Sequence, residues 1–74
     1  MAATLEREEQ MNVKLRAARE ASGKTQEQVA KQAGIVTQAY QRYEYGTRTP
    51  SVEVAIAIAK ALGTTVERLF PSAK

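Results

Sequence analysis

The sequence predicts an all-α fold of five short helices, and three observations carry this prediction. Apolar side chains recur at intervals of three and four residues along most of the chain, which is the spacing of a helix with one buried face. Period-2 alternation is absent over any useful length, so we expect no strands. The four glycines fall where such helices should end, since a glycine commonly closes a helix.

Size and composition restrict the class of protein. Seventy-four residues make one small domain, close to the length at which a single core is only just sufficient. The absence of cysteine and histidine excludes disulfides, zinc sites, thiol nucleophiles and the usual general base at neutral pH. No segment approaches the ~20 apolar residues that span a bilayer, and no signal-peptide pattern opens the chain. We therefore expect a cytoplasmic protein with no membrane partner.

The charge of the chain is unevenly distributed. The first ten residues carry a net charge of −2, and the remainder holds ten basic and five acidic side chains, a net charge of +5. The charged residues of the first segment are Glu6, Arg7, Glu8 and Glu9. A basic domain favours a nucleic-acid partner, although many small domains are equally basic. We expect an acidic arm over 1–10, disordered or extending the first helix, a domain over 11–70 and a short tail over 71–74.

The first two helices lie on either side of Gly23. Good helix formers dominate residues 11–21, and Gly23 stops this helix just after its last turn. Thr25 begins the second helix with a capping box, because Gln28 can reach back to the Thr25 amide. Gly34 ends the second helix. The faces expected to turn inward consist of Leu15, Ala18, Arg19 and Ser22 in the first helix and Val29, Ala30 and Ala33 in the second.

A third helix is predicted from about residue 37 to 45, across a tight turn at Gly34. Tyr40 and Tyr43 lie one helical turn apart and should be buried, and Gly46 ends the helix. Two short helices about a tight turn are what a helix-turn-helix requires. One crosses the phosphate backbone of DNA, and the second enters the major groove.

A fourth helix is predicted from a Ser51 cap to Leu62, and it is apolar nearly all round. Its predicted inner stripe is Val52, Ala55, Ile56, Ala59 and Leu62. A second stripe, Val54, Ala57, Ile58 and Ala61, exceeds what so small a domain can cover. We expect a two-fold dimer seam made of Val54, Ile58, Ala61, Val66 and Phe70. The alternative is that the alanines of this stripe are only good helix formers on the surface.

A short fifth helix should begin near Thr64. Glu67 lies three residues on and offers a second capping box, and Pro71 cannot continue the helix. Leu69 and Phe70 are expected to point inward.

A series of short motifs extends over residues 11–70. In order, these are Leu15 with Arg19, Thr25 to Ala30, Gly34, Tyr43 with Glu44, Gly46, Arg48 to Ser51, Ala61 to Gly63, and Leu69 with Phe70. In this order and spacing they closely resemble the phage-repressor and Cro type of helix-turn-helix domain, often called the Xre family. The resemblance implies a compact five-helix, lambda-repressor-like fold that binds double-stranded DNA as a homodimer. It also implies a structural ion pair between Arg19 and Glu44.

The sequence departs from the pattern of these domains at two positions. Val36 stands where they commonly have Ser or Thr, and valine cannot cap a helix. Either Thr37 takes over the cap, or the start of the helix is left to solvent and DNA phosphate. Lys24 replaces a usual apolar residue, so we expect its stem to pack while its head reaches solvent.

Outward polar residues of the third helix are candidates for reading bases. Glutamine can make a bidentate contact to adenine, arginine can do so to guanine, and a threonine methyl can pack on thymine. By position in the motif that the resemblance supplies, the expected base readers are Thr37, Gln38 and Arg42, and Gln41 is a further candidate on the same outward face. The expected phosphate contacts, by resemblance and by loop position, are Gln26, Tyr45, Thr47, Arg48 and Thr49. Without the surrounding motif, all of these could be ordinary solvated side chains.

These observations predict a sequence-specific transcriptional regulator, specifically a repressor at a near-palindromic operator, associated with the nucleoid. The alternative is a protein-interaction module of an antitoxin-like or co-regulator kind, because fold does not fix function. An enzyme is not expected, since no acid–base pair, phosphate-cradling glycine loop or metal-binding set is present. We also expect no cofactor, no metal and no domain for a small-molecule effector.

Overall fold

The computed structural model describes residues 11–71, and this part of the chain is all-helical. Its five helices are α1 (Val13–Ala21), α2 (Gln26–Ala33), α3 (Thr37–Tyr45), α4 (Val52–Leu62) and α5 (Val66–Leu69). No strand occurs within residues 11–71, so the predicted fold class is confirmed. The predicted acidic arm and the last three residues of the predicted tail lie outside the described residues.

Local capping explains where most of these helices begin. The Thr25 hydroxyl accepts a hydrogen bond from the Gln28 amide at 3.1 Å, and the Gln28 side chain accepts one from the Thr25 amide at 2.9 Å. This reciprocal pair is the predicted capping box. Ser51 caps α4 by accepting from the Val54 amide. Asn12 caps α1 in the same way, so that helix starts slightly later than predicted.

The start of α5 differs from the prediction. Thr65, rather than Thr64, is the N-cap, and its hydroxyl accepts a hydrogen bond from the Arg68 amide. The third residue after this cap is therefore Arg68, and the capping box expected with Glu67 does not form. Either threonine could cap a helix. Moving the cap from Thr64 to Thr65 replaces Glu67 with Arg68 at the third position after the cap.

The turn between α2 and α3 depends on a left-handed residue. Gly34 adopts φ 76°, a conformation that side chains with a Cβ rarely take. The reversal lets the Ile35 amide donate to the Ala30 carbonyl at 2.9 Å, and Ile35 then packs against the core. The turn is thus closed by the backbone and fixed by an apolar contact.

The core lies where α2 meets α3 and α4, with α5 closing the side shared by α1 and α4. Its buried apolar residues are Leu15, Val29, Ala30, Tyr40, Tyr43, Ala55, Ile58, Ala59, Leu69 and Phe70. The predicted burial of both tyrosines of α3 is confirmed. Among the described residues, no helix is long and apolar enough to cross a bilayer.

The predicted orientation of α4 is wrong in part. Ala55 and Ala59 are buried as expected, but Val52 is 74% exposed and Ile56 is 42% exposed. Ile58, assigned to the dimer seam, is fully buried. The helix packs against both α2 and α5, and its buried stripe is centred between these two neighbours. Because both stripes of α4 are apolar, periodicity could not choose between them.

The other members of the expected seam also contact the core of their own chain. Phe70 is a core residue at 8% exposure, which agrees with its predicted inward direction and contradicts its place on an exposed seam. Val54, Ala61 and Val66 are partly buried and pack against the same core. The seam as predicted is therefore not a free surface of the monomer.

The two isoleucines of α4 test this orientation. Ile58→Ala should lower the free energy of unfolding by about 2–5 kcal/mol, because it leaves a cavity in the core. Ile56→Ala should cost less than about 1 kcal/mol, since its side chain already meets solvent. Urea unfolding of both variants measures the difference, and equal losses would contradict the orientation of α4.

Candidate nucleic-acid interface

One buried carboxylate joins the three helices of the helix-turn-helix region. Glu44 lies on α3 and is 2% exposed. Arg19 Nε on α1 donates to its Oε2 at 2.5 Å, and the Tyr40 hydroxyl on α3 donates to the same oxygen at 2.7 Å. Gln26 Nε2 on α2 donates to Oε1 at 3.0 Å. The ion pair that the resemblance implied for Arg19 and Glu44 is thus present.

The guanidinium of Arg19 holds neighbouring elements of the fold together. Besides Glu44, it donates through Nη1 to the backbone carbonyl of Lys24 at 2.9 Å. Its side chain is only 14% exposed. A fork held on two sides in this way fixes α1 against the ends of α2 and α3. Arg19 is therefore a positioning residue and is not directed towards a phosphate.

The network keeps Glu44 ionised inside the protein. Burial alone would raise the pKa of Glu44, but the hydrogen bonds from Arg19, Tyr40 and Gln26 outweigh burial and hold it below the ordinary value of 4.5. Burial, together with the hydrogen bond to Glu44, raises the pKa of the Tyr40 hydroxyl. The hydrogen bond to Glu44 also raises the pKa of Arg19. The charges of Arg19 and Glu44 therefore neutralise each other at physiological pH.

A chain of glutamines connects this buried pair with the surface. Gln41 Nε2 on α3 donates to Gln26 Oε1 at 3.1 Å, while Gln26 Nε2 donates to Glu44. Each amide nitrogen carries a second hydrogen. Gln26 can therefore still donate to a phosphate, and Gln41 can still donate and accept at a base edge. Both side chains are half-buried, and these hydrogen bonds orient them in the absence of a ligand.

The N-terminal half of α3 presents polar groups to solvent. Gln38 and Arg42 are exposed, and Thr37 is half-buried. Val36 is the N-cap residue and makes no side-chain hydrogen bond, so Thr37 does not take over the cap. The first amides of α3 consequently keep their hydrogens for solvent or an anion. Of the expected base readers, Gln38 and Arg42 are the most accessible, and Gln41 is the most constrained.

The loop after α3 continues the same polar surface. Gly46 adopts φ 77° and turns the chain, which the Thr47 amide secures by donating to the Arg42 carbonyl at 3.1 Å. Tyr45 is 50% exposed. Thr47, Arg48 and Thr49 are all exposed. The expected phosphate contacts after α3 are therefore accessible, and the start of the loop is fixed to α3.

A cleft of about 270 Å³ lies between α1 and the ends of α2 and α3. Its walls are Met11, Arg16, Arg19, Gln26, Glu44 and Tyr45. Of the two arginines, Arg16 has a side chain that is 52% exposed. Sequence reasoning missed Arg16 as a possible phosphate contact. Its pairing with Glu20 four residues on is an ordinary helix-surface pattern, and nothing local shows that it borders Gln26.

Lys24 has a more specific role than expected. Its ammonium donates to the Ala61 carbonyl at 2.6 Å and to the Gln32 side chain at 3.0 Å. The Ala61 carbonyl belongs to the last turn of α4, where carbonyls lack partners within the helix. A cation there also complements the helix dipole. The head of Lys24 therefore ties α2 to α4 instead of only reaching solvent.

The comparison with known families agrees with this geometry. A family model described as helix-turn-helix matches residues 15–69, from the buried leucine of α1 to the end of α5. The match thus includes the glutamate network, both helices of the helix-turn-helix and the exposed loop after α3. No curated protein sequence gives a significant match to the chain.

Glu44→Gln should destabilise the fold strongly. The substitution keeps the shape of the side chain but leaves Arg19 partly buried without its counter-ion, which should cost about 3–5 kcal/mol. Glu20→Gln is a matched control, because it removes a carboxylate from an exposed arginine pair and should cost about 0.5 kcal/mol or less. Chemical unfolding of both variants measures the two losses in the free energy of unfolding. Losses of similar size would contradict a structural role for the buried pair.

The contribution of Glu44 should also depend on pH. A carboxyl whose pKa is lowered on folding stabilises the protein above its unfolded pKa, and this contribution is lost as pH falls through the folded pKa. The stability difference between wild type and Glu44→Gln should therefore be constant above about pH 5 and shrink below the ordinary value of 4.5. Urea midpoints between neutral and acidic pH measure it. A difference independent of pH would show that Glu44 is not the titrating group.

Proposed function

The chain belongs to the helix-turn-helix family of the phage-repressor and Cro type, and we propose that it is a repressor that binds a near-palindromic DNA operator as a homodimer. The family is one of DNA-binding regulators and not of enzymes. Residues 11–70 would form the DNA-binding unit, and its place of action would be the nucleoid in the cytoplasm.

One observation supports the proposal that α3 reads the base sequence of DNA. The helix is held from behind by buried Tyr40, Tyr43 and Glu44, and it turns Gln38 and Arg42 to solvent. A helix anchored in the core on one face and polar on the other suits the major groove. In this proposal Arg42 reads guanine, Gln38 reads adenine, and the Thr37 methyl packs on thymine. Gln41 joins them through the amide groups that its bond to Gln26 leaves free.

Backbone contacts would come from the residues that flank α3. Gln26 stands at the first turn of α2, where helix amides favour an anion, and its side chain is oriented by Glu44. Tyr45, Thr47, Arg48 and Thr49 supply hydroxyls and one guanidinium on the other side. These contacts position the helix on the duplex without reading its sequence.

The homodimer would use a surface other than the one first expected. Ile58 and Phe70 belong to the core, whereas Val52 and Ile56 are exposed and lie one turn apart on α4. An apolar pair of this kind on a small domain favours contact with another molecule. The same pair also favours the second candidate, a protein-interaction module, although the polar outward face of α3 lacks the apolar anchors typical of a protein-binding surface.

Two arginine variants separate base reading from backbone contact. Duplexes are selected from a random double-stranded pool at near-physiological salt with wild type, Arg42→Ala and Arg48→Ala. Wild type should enrich a two-fold symmetric motif. Arg42→Ala should relax one guanine position, worth about 1–3 kcal/mol of discrimination, because Arg42, unlike Arg48, would touch a base edge. Arg48→Ala should weaken binding to all sequences alike.

Selection without enrichment would favour the protein-interaction module over the repressor. Equal effects of the two variants on selected and random duplexes would contradict the division between base reading and phosphate contact. Folding of both variants is checked by circular dichroism, and both residues are exposed, so a loss of structure is not expected.

The dimer can be tested independently of sequence. Sedimentation at micromolar protein should give a mass that rises with protein concentration. With a duplex whose half-sites lie about one helical turn, roughly 34 Å, apart, the complex should contain two copies of the protein. Ile56→Glu should reduce the dimer fraction, because it places a charge in the exposed apolar pair. A monomer mass at every concentration without duplex, together with one protein copy per bound duplex, would contradict the homodimer.

A further inference from the structure

The helix proposed to read DNA, α3, is the one helix within residues 11–71 that begins without a side-chain cap. Asn12, Thr25, Ser51 and Thr65 each accept a hydrogen bond from an amide of the helix that they precede. Val36 holds the same place before α3 and makes no such bond. Its backbone has the extended conformation of an N-cap residue, with φ −76° and ψ 151°, so only the side chain departs from the pattern.

The missing cap lowers the stability of the domain. An N-cap side chain with an oxygen satisfies one of the free amides at the start of a helix, and valine has no such oxygen. Val36 is 68% exposed and lies outside the core and the side chains that pack against it. A single exposed valine is ordinary elsewhere on a protein surface, but here it replaces a stabilising group. Within residues 11–71, neither a hydrogen bond nor core packing offsets the missing cap.

The turn before α3 holds Val36 in a fixed position. On one side, the Ile35 amide donates to the Ala30 carbonyl at 2.9 Å, and the Ile35 side chain packs against the core. On the other side, the Val36 carbonyl accepts hydrogen bonds from the Ala39 and Tyr40 amides at 3.1 and 3.2 Å. An exposed apolar side chain is therefore presented at the leading end of α3 by a backbone that is anchored on both sides.

The chemistry of this side chain matches one feature of the major groove. The N-terminal residues of a recognition helix are the ones that meet base edges there. Among the four bases, thymine alone presents a methyl group in the major groove, and apolar side chains recognise it by contact. Valine neither donates nor accepts a hydrogen bond, so it can favour a base only through such an apolar contact.

We propose that Val36 is a specificity-determining residue whose methyl groups pack against the C5 methyl of thymine. The proposal rests on the proposed function, in which α3 enters the major groove. The chain exchanges a helix cap for this contact, next to Thr37, whose methyl would meet the same kind of partner. A capping residue in place of Val36 should then stabilise the free protein and remove a preference for thymine at one position of each half-site.

The first measurement concerns the free protein. Val36→Ser supplies a capping oxygen and should raise the Tm by about 4–8 °C. Val36→Ala truncates the side chain without supplying a cap, and it should leave the Tm within about 2 °C of the wild-type value. Thermal unfolding followed by circular dichroism measures both shifts and shows that both variants fold. No gain from Val36→Ser would overturn the exchange of a cap for a contact.

The second measurement isolates the thymine methyl. The duplex is the one that wild type enriches from a random pool, and each thymine is replaced in turn, in both half-sites, by deoxyuridine. Deoxyuridine keeps the base pair and lacks only the C5 methyl. Wild type, Val36→Ser, Val36→Ala and Val13→Ala are titrated with each duplex and followed by fluorescence anisotropy. Val13→Ala is the matched control, because Val13 is 64% exposed but begins α1.

The readout is the ratio of affinities for the thymine and the deoxyuridine duplex, since general changes in affinity cancel in it. At one thymine of each half-site, wild type and Val13→Ala should lose about fivefold to twentyfold for the two half-sites together, because each buried methyl contributes about fourfold. Both Val36 variants should bind the two duplexes within about twofold of each other. A duplex series in which no deoxyuridine weakens wild type would overturn the proposal. So would a loss that both Val36 variants retain, because another side chain would then read the methyl.

Failure of the proposed function has a different signature. If wild type enriches a two-fold symmetric motif and is indifferent to every thymine methyl, Val36 is not a base reader while the proposed function stands. If wild type enriches no sequence, the proposed function fails and the role of Val36 fails with it, whatever the Tm of Val36→Ser.

Discussion

The carboxylate of Glu44 is the constraint on which the helix-turn-helix depends. It is buried among α1, α2 and α3 and receives hydrogen bonds from Arg19, Tyr40 and Gln26. An unpaired charge at this position would be very costly to bury. The three helices can therefore pack closely only in the arrangement that brings all three donors to it. The apolar core supplies most of the favourable free energy of folding, and this network selects the relative placement of the helices.

The same network sets the geometry of the proposed DNA surface. Glu44 orients Gln26, and Gln26 in turn accepts a hydrogen bond from Gln41. A side chain on the outer part of α3 is thus aligned through two hydrogen bonds with a charge in the interior. Such alignment reduces the conformational entropy that binding must remove from long polar side chains. The surface is in this sense organised by the core, so a defect at Glu44 should lower stability and, under the proposed function, also impair recognition.

The parts of the fold that depend on local signals could be predicted from the sequence. The capping box of Thr25 with Gln28, the left-handed turn at Gly34 and the burial of Tyr40 and Tyr43 all follow from neighbouring residues. The inward face of α4 could not be predicted, because both of its stripes are apolar and only packing against α2 and α5 selects one. The glutamine chain was also beyond prediction, since Gln26 and Gln41 are separated by 15 positions and no local pattern links them.

The buried ion pair of this domain carries no net charge, whereas the surface proposed to meet DNA carries exposed cations. Because Arg19 is neutralised by Glu44, it adds no net charge to the proposed interface. Two exposed cations, Arg42 and Arg48, lie on α3 and in the loop that follows it. Each phosphate contact contributes separately to affinity and to its salt dependence. With so few cations at this surface, the loss of one of them should change a large share of the electrostatic attraction to DNA.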